Sequence, residues 1–110
     1  MERLRQRADF LAAARGQKAA TPAFVLQARQ RSDDDGPVRI GFTVSKKVGG
    51  AVERNRVRRR LRAVVRLSPA ENFRIGYDYV LIGRRDALSL PFDRITEDFY
   101  GALRRLRVKK

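Results

Sequence analysis

Hydrophobic and polar residues alternate along two stretches in the first half of the chain, and each alternation predicts a β-strand. The first stretch runs from Phe24 to Gln30 and the second from Val38 to Ser45. A period of two is typical of a strand with one buried face. The residues expected on the buried faces are Phe24, Leu26, Ala28, Val38, Ile40, Phe42 and Val44.

The other face of the second strand is small and polar. It consists of Arg39, Gly41, Thr43 and Ser45. A face of this kind fits either a solvated sheet surface or a surface open enough for a ligand, and the pattern alone does not choose between them.

A helix is predicted between the glycine pair Gly49-Gly50 and the pair Ser68-Pro69. Apolar residues recur there at intervals of three and four, which is the spacing along one face of a helix. This stripe consists of Val57, Leu61, Val64 and Val65. Because proline disfavours helical backbone at the preceding residue, we expect the helix to run from Ala51 to about Leu67.

The second half of the chain predicts one more strand and one more helix. The strand, Asp78 to Gly83, is apolar from its second residue onward, as in a strand covered on both faces. Because it follows a helix that follows a strand, we expect it to pair in parallel with residues 38–45. After Pro91, acidic residues precede arginines along a helical pattern, which suits the helix dipole. The apolar stripe of this helix is Phe92, Ile95, Phe99, Ala102, Leu103 and Leu106.

A short first helix and an acidic turn complete the predicted elements. We expect the helix to run from Asp9, as its N-cap, to Arg15, with Gly16 as its C-terminal stop. Residues 32–37, with three aspartates, a glycine and a proline, are expected to form a solubilising turn rather than a metal site.

The composition fits one folded domain. A chain of 110 residues can bury a single core, and its 43% hydrophobic content distinguishes it from a disordered basic tail. We expect one domain over residues 1–110, with a core at about residues 8–106 and basic termini outside it. No segment resembles a signal peptide or a membrane span, which predicts a cytoplasmic protein.

The lack of histidine and cysteine in the sequence limits the chemistry of the chain. Without cysteine, no disulfide and no thiolate metal site can form. Without histidine, the usual general base near neutral pH is missing, and the scattered carboxylates poorly support a two-metal nuclease. We therefore expect no catalytic residue and no metal bound by the protein alone.

Basic residues are concentrated in the middle of the chain. The net charge is +14, and ten arginines or lysines lie between residues 39 and 66 against one acid, Glu53. Such a field attracts phosphate backbones, and arginine offers phosphate two parallel donors and can stack on bases. RNA is the favoured partner. A DNA-binding helix is a second interpretation, although Asn55 is its only amide for reading bases, and genome composition explains the arginine surplus as a whole equally well.

The same region contains an ordered set of motifs. A strand Arg-Ile-Gly-Phe-Thr-Val is followed by the turn Ser-Lys-Lys-Val-Gly and by a helix that carries the triplet Arg54-Asn55-Arg56 near its start. Residues 39–59 thereby closely resemble the protein component of bacterial ribonuclease P, of which the triplet is the signature. Weaker resemblance extends over about residues 4–105.

This resemblance implies an α+β fold and a non-catalytic role. The expected fold is a small single-domain α/β sandwich, with a sheet of about four strands packed with three helices in the order α-β-β-β-α-β-α. A left-handed crossover between parallel strands is implied, although right-handed crossovers are the general rule. In this family a catalytic RNA holds the Mg²⁺ ions and removes the 5′ leader of precursor tRNA, and the resemblance implies no membrane and no obligate protein partner.

The resemblance also assigns residues to two surfaces. Expected contacts to the catalytic RNA are Lys46, Lys47, Arg54, Asn55, Arg56, Arg58, Arg59 and Arg62. Expected contacts to the leader, in a cleft between the sheet and the first helix, are Phe10, Arg39, Thr43 and Ser45. Arg60 and Arg66 are expected on a solvated face. Relatives often have aromatic residues where this chain has Ala14 and Gln27, so leader binding should depend more on charge and less on stacking.

A ribosomal protein, or another assembly protein that binds structured RNA, shares this charge pattern. Such a protein would have no reason to distinguish precursor from mature tRNA. Reconstitution of cleavage with the cognate RNA separates the two interpretations.

Overall fold

The computed structural model describes residues 1–31 and 36–108, and the acidic triplet predicted as a turn lies outside these residues. The main elements, in chain order, are β1 (Glu2–Arg3), α1 (Arg7–Ala13), β2 (Gln17–Ala20), β3 (Phe24–Gln30), β4 (Arg39–Val44), α2 (Ala51–Leu67), β5 (Tyr77–Gly83) and α3 (Phe92–Val108). Short 3-10 turns occur at Lys46–Val48, Ala70–Asn72 and Arg85–Leu88.

The strands form one mixed sheet in the order β1-β4-β5-β3-β2. The predicted parallel pairing of β4 with β5 is confirmed, and it places Arg39 opposite Asp78 and Val44 opposite Gly83. β3 runs antiparallel to β5 and to β2. The expected element order is confirmed, with the two-residue β1 as an addition that makes five strands instead of about four. The left-handed crossover expected between the parallel strands β4 and β5 stays a prediction.

Helices α2 and α3 cover one face of the sheet and form the main core. The predicted stripe of α2 is confirmed, since Val57, Leu61, Val64 and Val65 are all buried. The stripe of α3 is also buried from Ile95 onward, and the Phe99 ring packs edge-on against Phe24 with centroids 5.9 Å apart. Each large apolar side chain buried in this way contributes about 1.5–3 kcal/mol. These contacts fix α2 against β4 and β5.

Among the described residues, α1 and the residues before it cover the opposite face of the sheet. Leu4, Ala13 and Val80 are buried there, and Phe10 and Ile82 are partly buried against them. Because Leu4 is buried, the packed part of the chain begins earlier than the expected residue 8. With only seven residues, α1 is too short to cover the whole face.

The predicted bounds of α1 are wrong. The helix begins at Arg7 after an extended Gln6, and Asp9 lies within its first turn instead of capping it. A carboxylate in the first turn still favours the helix N-terminus. Asp9 also lies 3.4 Å from the guanidinium of Arg39 on the sheet, a partner that local sequence does not indicate.

Candidate nucleic-acid interface

A basic turn links the end of β4 to the start of α2. Lys46 and Lys47 are exposed, and the Ser45 hydroxyl accepts a hydrogen bond from the Lys47 backbone N–H at 3.3 Å. Gly49 has a φ of 155°, and a side chain at this position would overlap the carboxylate of Glu53. Glycine is therefore required here, and both lysine side chains extend from a turn whose backbone is held in place.

Helix α2 begins without a side-chain N-cap, as expected from Gly50. The Glu53 carboxylate instead folds back and accepts a hydrogen bond from the Gly50 backbone N–H at 3.1 Å. This contact satisfies one free donor at the helix start and places negative charge near the positive end of the helix dipole. Glu53 is also 3.5 Å from the guanidinium of Arg85, so this carboxylate is engaged on two sides.

The arginines of α2 differ in where they point. Arg56, Arg59 and Arg62 are exposed, while Arg54 and Arg58 are half-buried. The Asn55 amide oxygen accepts a hydrogen bond from Arg58 at 3.1 Å. The five predicted RNA-binding arginines thus all lie on α2, directly after the basic turn, but they differ in exposure and direction. None of the five forms an ion pair among the described residues.

Arg60 does not belong to this surface, and its predicted place on a solvated face is wrong. Its guanidinium donates to the backbone oxygens of Ala87 and Leu90, at 2.7 Å for the second. Arg85, from the same segment, donates to the backbone oxygen of Val48. These bonds attach the connection between β5 and α3 to α2. Arg66 is exposed, as predicted.

One end of the α1-covered face is only half-buried. Strand register places Thr43, Ile82 and Val25 side by side across β4, β5 and β3, and all three are half-buried. The Phe10 ring borders this row and lies directly on Gly41, where an added Cβ would be 2.6 Å from a ring carbon. We call the surface formed by Phe10, Val25, Thr43 and Ile82 the open cleft.

Val25 and Ile82 were not among the predicted cleft residues. In the alternating pattern of β3, Val25 lies on the face opposite Phe24, Leu26 and Ala28, and this position could have indicated that it faces the cleft. Ile82 lies in a continuously apolar strand, so its face could be assigned only from the register with β4. Gln27, on the same strand as Val25, is buried in the sheet.

Arg39 lies at the covered end of the same face and is engaged in ion pairs. Its Nε and Nη2 atoms donate to the two carboxylate oxygens of Asp78, both at 2.7 Å. Arg31 donates to the same carboxylate at 2.7 Å, and Arg29 lies 3.9 Å from it. Burial by itself would raise the pKa of Asp78, but hydrogen bonds from Arg39 and Arg31 hold it below the ordinary value. Arg39 is therefore placed as a structural residue, outside the open cleft.

The basic turn and the open cleft are adjacent because β4 connects them. Thr43 lies in the cleft, β4 ends at Val44, and Ser45 to Lys47 follow at once. Ser45 is exposed at this junction. A single nucleic-acid strand in the cleft would therefore have its phosphates within reach of cations, which is the arrangement typical of sites for unpaired RNA.

The described residues offer no evident site for a divalent metal. No group of three or more potential acidic or other ligands occurs within residues 1–31 and 36–108. Glu53, the carboxylate closest to the basic turn, is already bonded to Gly50 and near Arg85. In the same part of the chain, no helix is long and apolar enough to cross a membrane.

Comparisons with known proteins all lead to one family. The family described as Ribonuclease P matches residues 1–107. The chain is 49% identical over 109 residues to the ribonuclease P protein component of Ruegeria pomeroyi, covering 97% of this chain and 87% of that protein. It is 50% identical over 108 residues to the corresponding protein of Gluconacetobacter diazotrophicus, covering 97% and 92%.

Solved structures agree with the sequence comparison. The RNase P protein of Staphylococcus aureus superposes with a TM-score of 0.78 at 26% identity, over 100% of this chain and 99% of that one. The RNase P protein of Thermotoga maritima superposes with a TM-score of 0.76 at 29% identity, with the same coverage. The similarity therefore extends over the whole fold and is not confined to the basic motif.

Proposed function

Because the chain belongs to the ribonuclease P protein family, we propose that the basic turn and the predicted RNA-binding residues of α2, together called the basic edge, bind the RNase P RNA. We also propose that the open cleft binds the 5′ leader of precursor tRNA. Members of this family are the protein subunit of a ribonucleoprotein endonuclease that matures the 5′ end of tRNA, and they associate with the RNase P RNA. A ribosomal or general assembly role is not favoured by these relationships.

The basic edge suits a folded RNA. Lys46, Lys47, Arg54, Asn55, Arg56, Arg58, Arg59 and Arg62 lie on the basic turn and on α2. Exposed guanidinium groups can form paired hydrogen bonds with phosphate, and lysines act as point charges for it. Because these cations have no carboxylate partners among the described residues, their charge is available to the RNA.

The open cleft suits an unpaired strand. Phe10 offers part of an aromatic ring, Val25 and Ile82 offer an apolar floor, and Thr43 and Ser45 offer hydroxyl groups at the end nearest the lysines. Stacking of a base on an aromatic side chain contributes about 1–3 kcal/mol. Because this chain has one half-buried aromatic ring at the cleft, and Ala14 where relatives often have a second one, we expect charge to contribute more than stacking to the affinity for the leader.

We assign magnesium to the RNA. This proposal is supported by the described residues, which contain no group of three or more potential ligands, whereas magnesium prefers several oxygen ligands in octahedral geometry. The protein's own contribution to the reaction is to bind and orient the two RNAs.

The observation that carries the leader assignment is the position of Phe10 at the cleft, on Gly41. Replacement of Phe10 by Leu keeps an apolar side chain against Gly41 and removes the stacking surface. We expect the reconstituted holoenzyme to bind precursor tRNA about fivefold more weakly, corresponding to about 1 kcal/mol, with mature tRNA unaffected. Competition binding of the two tRNAs measures this ratio.

Two variants serve as controls. Leu11→Ala changes an exposed residue of the same helix and should leave the ratio unchanged. Arg56→Ala removes an exposed cation from the basic edge, and should weaken assembly with the RNase P RNA without altering the preference for precursor tRNA. Equal losses for precursor and mature tRNA in Phe10→Leu would contradict the leader assignment.

A further inference from the structure

A groove of about 330 Å³ lies on the opposite face of β4 from the open cleft, between the sheet edge and α2. Its volume is at the lower end of the roughly 300–1,000 Å³ typical of pockets for small ligands. We call it the Phe42 groove. Its principal lining residues are Arg3, Ile40, Phe42, Arg62, Val65 and Arg66.

Phe42 is less buried than its position predicts. Ile40 and Val44, on the same side of β4, are buried, whereas Phe42 is only half-buried. The Arg62 guanidinium lies over the Phe42 ring, 5.7 Å from its centroid, and Arg62 is itself exposed. The groove therefore presents two flat groups, a ring and a guanidinium plane, and both kinds of group stack well on nucleobases.

The charge of the groove favours an anionic occupant. Arg3, Arg62 and Arg66 are exposed along it, against one carboxylate from Glu2. Apolar contacts come from Ile40, Phe42 and Val65. Flat apolar surfaces surrounded by guanidinium groups match the chemistry of a nucleotide, which combines a stacking base with a phosphate.

We propose that the Phe42 groove binds an unpaired base of the RNase P RNA, which contacts Phe42 and Arg62 while Arg3 and Arg66 contact the neighbouring phosphates. This proposal rests on the proposed function, because it takes the RNA partner as given and adds a base-binding subsite. The source is the RNase P RNA and not the leader, because β4 separates the groove from the open cleft. The groove is also continuous with the basic edge, since Arg58 and Arg62 lie one helical turn apart on α2.

The first test measures assembly of the full chain with the RNase P RNA. Arg62→Lys keeps the positive charge but removes the planar group, and Phe42→Leu keeps an apolar side chain but removes the ring. We expect about tenfold weaker assembly for each variant, as for the loss of one stacked base. Arg104→Lys, an exposed site on α3 at the other edge of the sheet, is the matched control and should assemble as the wild type does.

The results distinguish the subsite from the wider function. If Arg62→Lys and Phe42→Leu assemble normally while Arg56→Ala is impaired, the base subsite is refuted and the basic edge stands. If the Phe42→Leu variant does not fold, the assembly measured for Arg62→Lys decides whether the base subsite exists, because Arg62 is exposed and its replacement does not disturb the core. A changed ratio of precursor to mature tRNA binding in Arg62→Lys would overturn the proposal in favour of the leader.

The second test uses the isolated full chain and two small probes. Adenosine 5′-monophosphate has a base and a phosphate, whereas inorganic phosphate has only the anion. In NMR titrations, we expect the nucleotide to shift the ring protons of Phe42 and the amides of Ile40 and Val65, and inorganic phosphate to leave the Phe42 ring unaffected. Identical responses to both probes, or no response at Phe42, would overturn the proposal.

Discussion

At the scale of single residues, Asp78 determines what several arginines can do. Its carboxylate is fully buried at the start of β5, with Arg31 and Arg39 each donating at 2.7 Å. A buried carboxylate is tolerated only when it is paired and hydrogen-bonded. Arg39 therefore joins β4 to β5 on the face that carries the open cleft, and its guanidinium is oriented by this carboxylate.

Replacement of Asp78 by Asn should lower the free energy of unfolding at pH 7 by about 3 kcal/mol, because it leaves buried guanidinium groups without their anion. Urea denaturation measures the change. Asp98→Asn is the control, since Asp98 pairs with Arg94 across one turn on the surface of α3 and should contribute less than about 0.5 kcal/mol. Similar losses for the two variants would contradict the structural role of Asp78.

The same pair predicts a pH dependence of stability. The pKa of Asp78 is lower in the folded protein than in the unfolded chain, where it is about 3.9. The ion pairs therefore stabilise the protein fully above about pH 4, and this contribution is lost as the pH falls further. We expect the difference in unfolding free energy between wild type and Asp78→Asn to shrink below pH 4, as measured by urea titrations at stepwise lower pH. A difference that stays constant would indicate that charge is not its source.

At the scale of elements, α2 uses its faces for different purposes. Val57 and Leu61 pack on the sheet, Arg60 bonds to the backbone of the segment before α3, and Arg59 is exposed. These roles fall on adjacent residues because successive residues of a helix are about 100° apart around its axis. An arginine-rich helix is thus not a uniform RNA-binding surface.

Replacement of Arg60 by alanine should therefore affect mainly stability, and replacement of Arg59 by alanine should affect mainly RNA binding. Arg60→Ala should reduce the free energy of unfolding by about 2 kcal/mol, because two backbone oxygens lose a charged donor. Arg59→Ala should stay within about 0.5 kcal/mol of wild type and instead weaken assembly with the RNase P RNA. Thermal unfolding and RNA binding, measured on both variants, test this division, which would be wrong if Arg59→Ala were the less stable protein.

At the scale of the whole molecule, a net charge of +14 is unevenly distributed. The basic turn and α2 carry a series of cations from Lys46 to Arg66, and Arg62 and Arg66 line the Phe42 groove. Two carboxylates of the described fold, Asp78 and Glu53, pair with Arg39 and Arg85, which are not among these cations. The result is a positive surface that draws RNA by its phosphates before any specific contact forms.

Affinity for the RNase P RNA should consequently fall steeply with salt. The logarithm of the binding constant should decrease linearly with the logarithm of salt concentration, by about 0.7 to 0.9 per phosphate contacted. Replacing both Lys46 and Lys47 by alanine should make this slope shallower by about one to two, while Arg104→Ala should leave it unchanged. Binding titrations over a range of salt concentrations measure the slope, and a flat response in the wild type would contradict an electrostatic interface.

The sequence by itself determined the order of the main elements, the faces of α2 and α3, the parallel pairing of β4 with β5, and the concentration of cations after β4. The helix faces and the cation cluster depend on residues near one another in the chain, so periodicity and composition are enough to reveal them. The parallel pairing joins distant strands, but it was expected from the strand-helix-strand order. The family signature Arg54-Asn55-Arg56 is local in the same sense. The triplet indicates the ribonuclease P protein family, and the family in turn indicates the RNA partner.

Only the tertiary structure decided which cations are free and where the cleft opens. Arg39 has its partner Asp78 39 residues away, and Arg60 reaches Leu90 across 30 residues. The bounds of α1, the addition of β1 to the sheet and the exposure of Phe42 likewise depend on neighbours that packing brings together. A side chain's chemistry is set by its residue type, but its availability to RNA is set by contacts between distant parts of the chain.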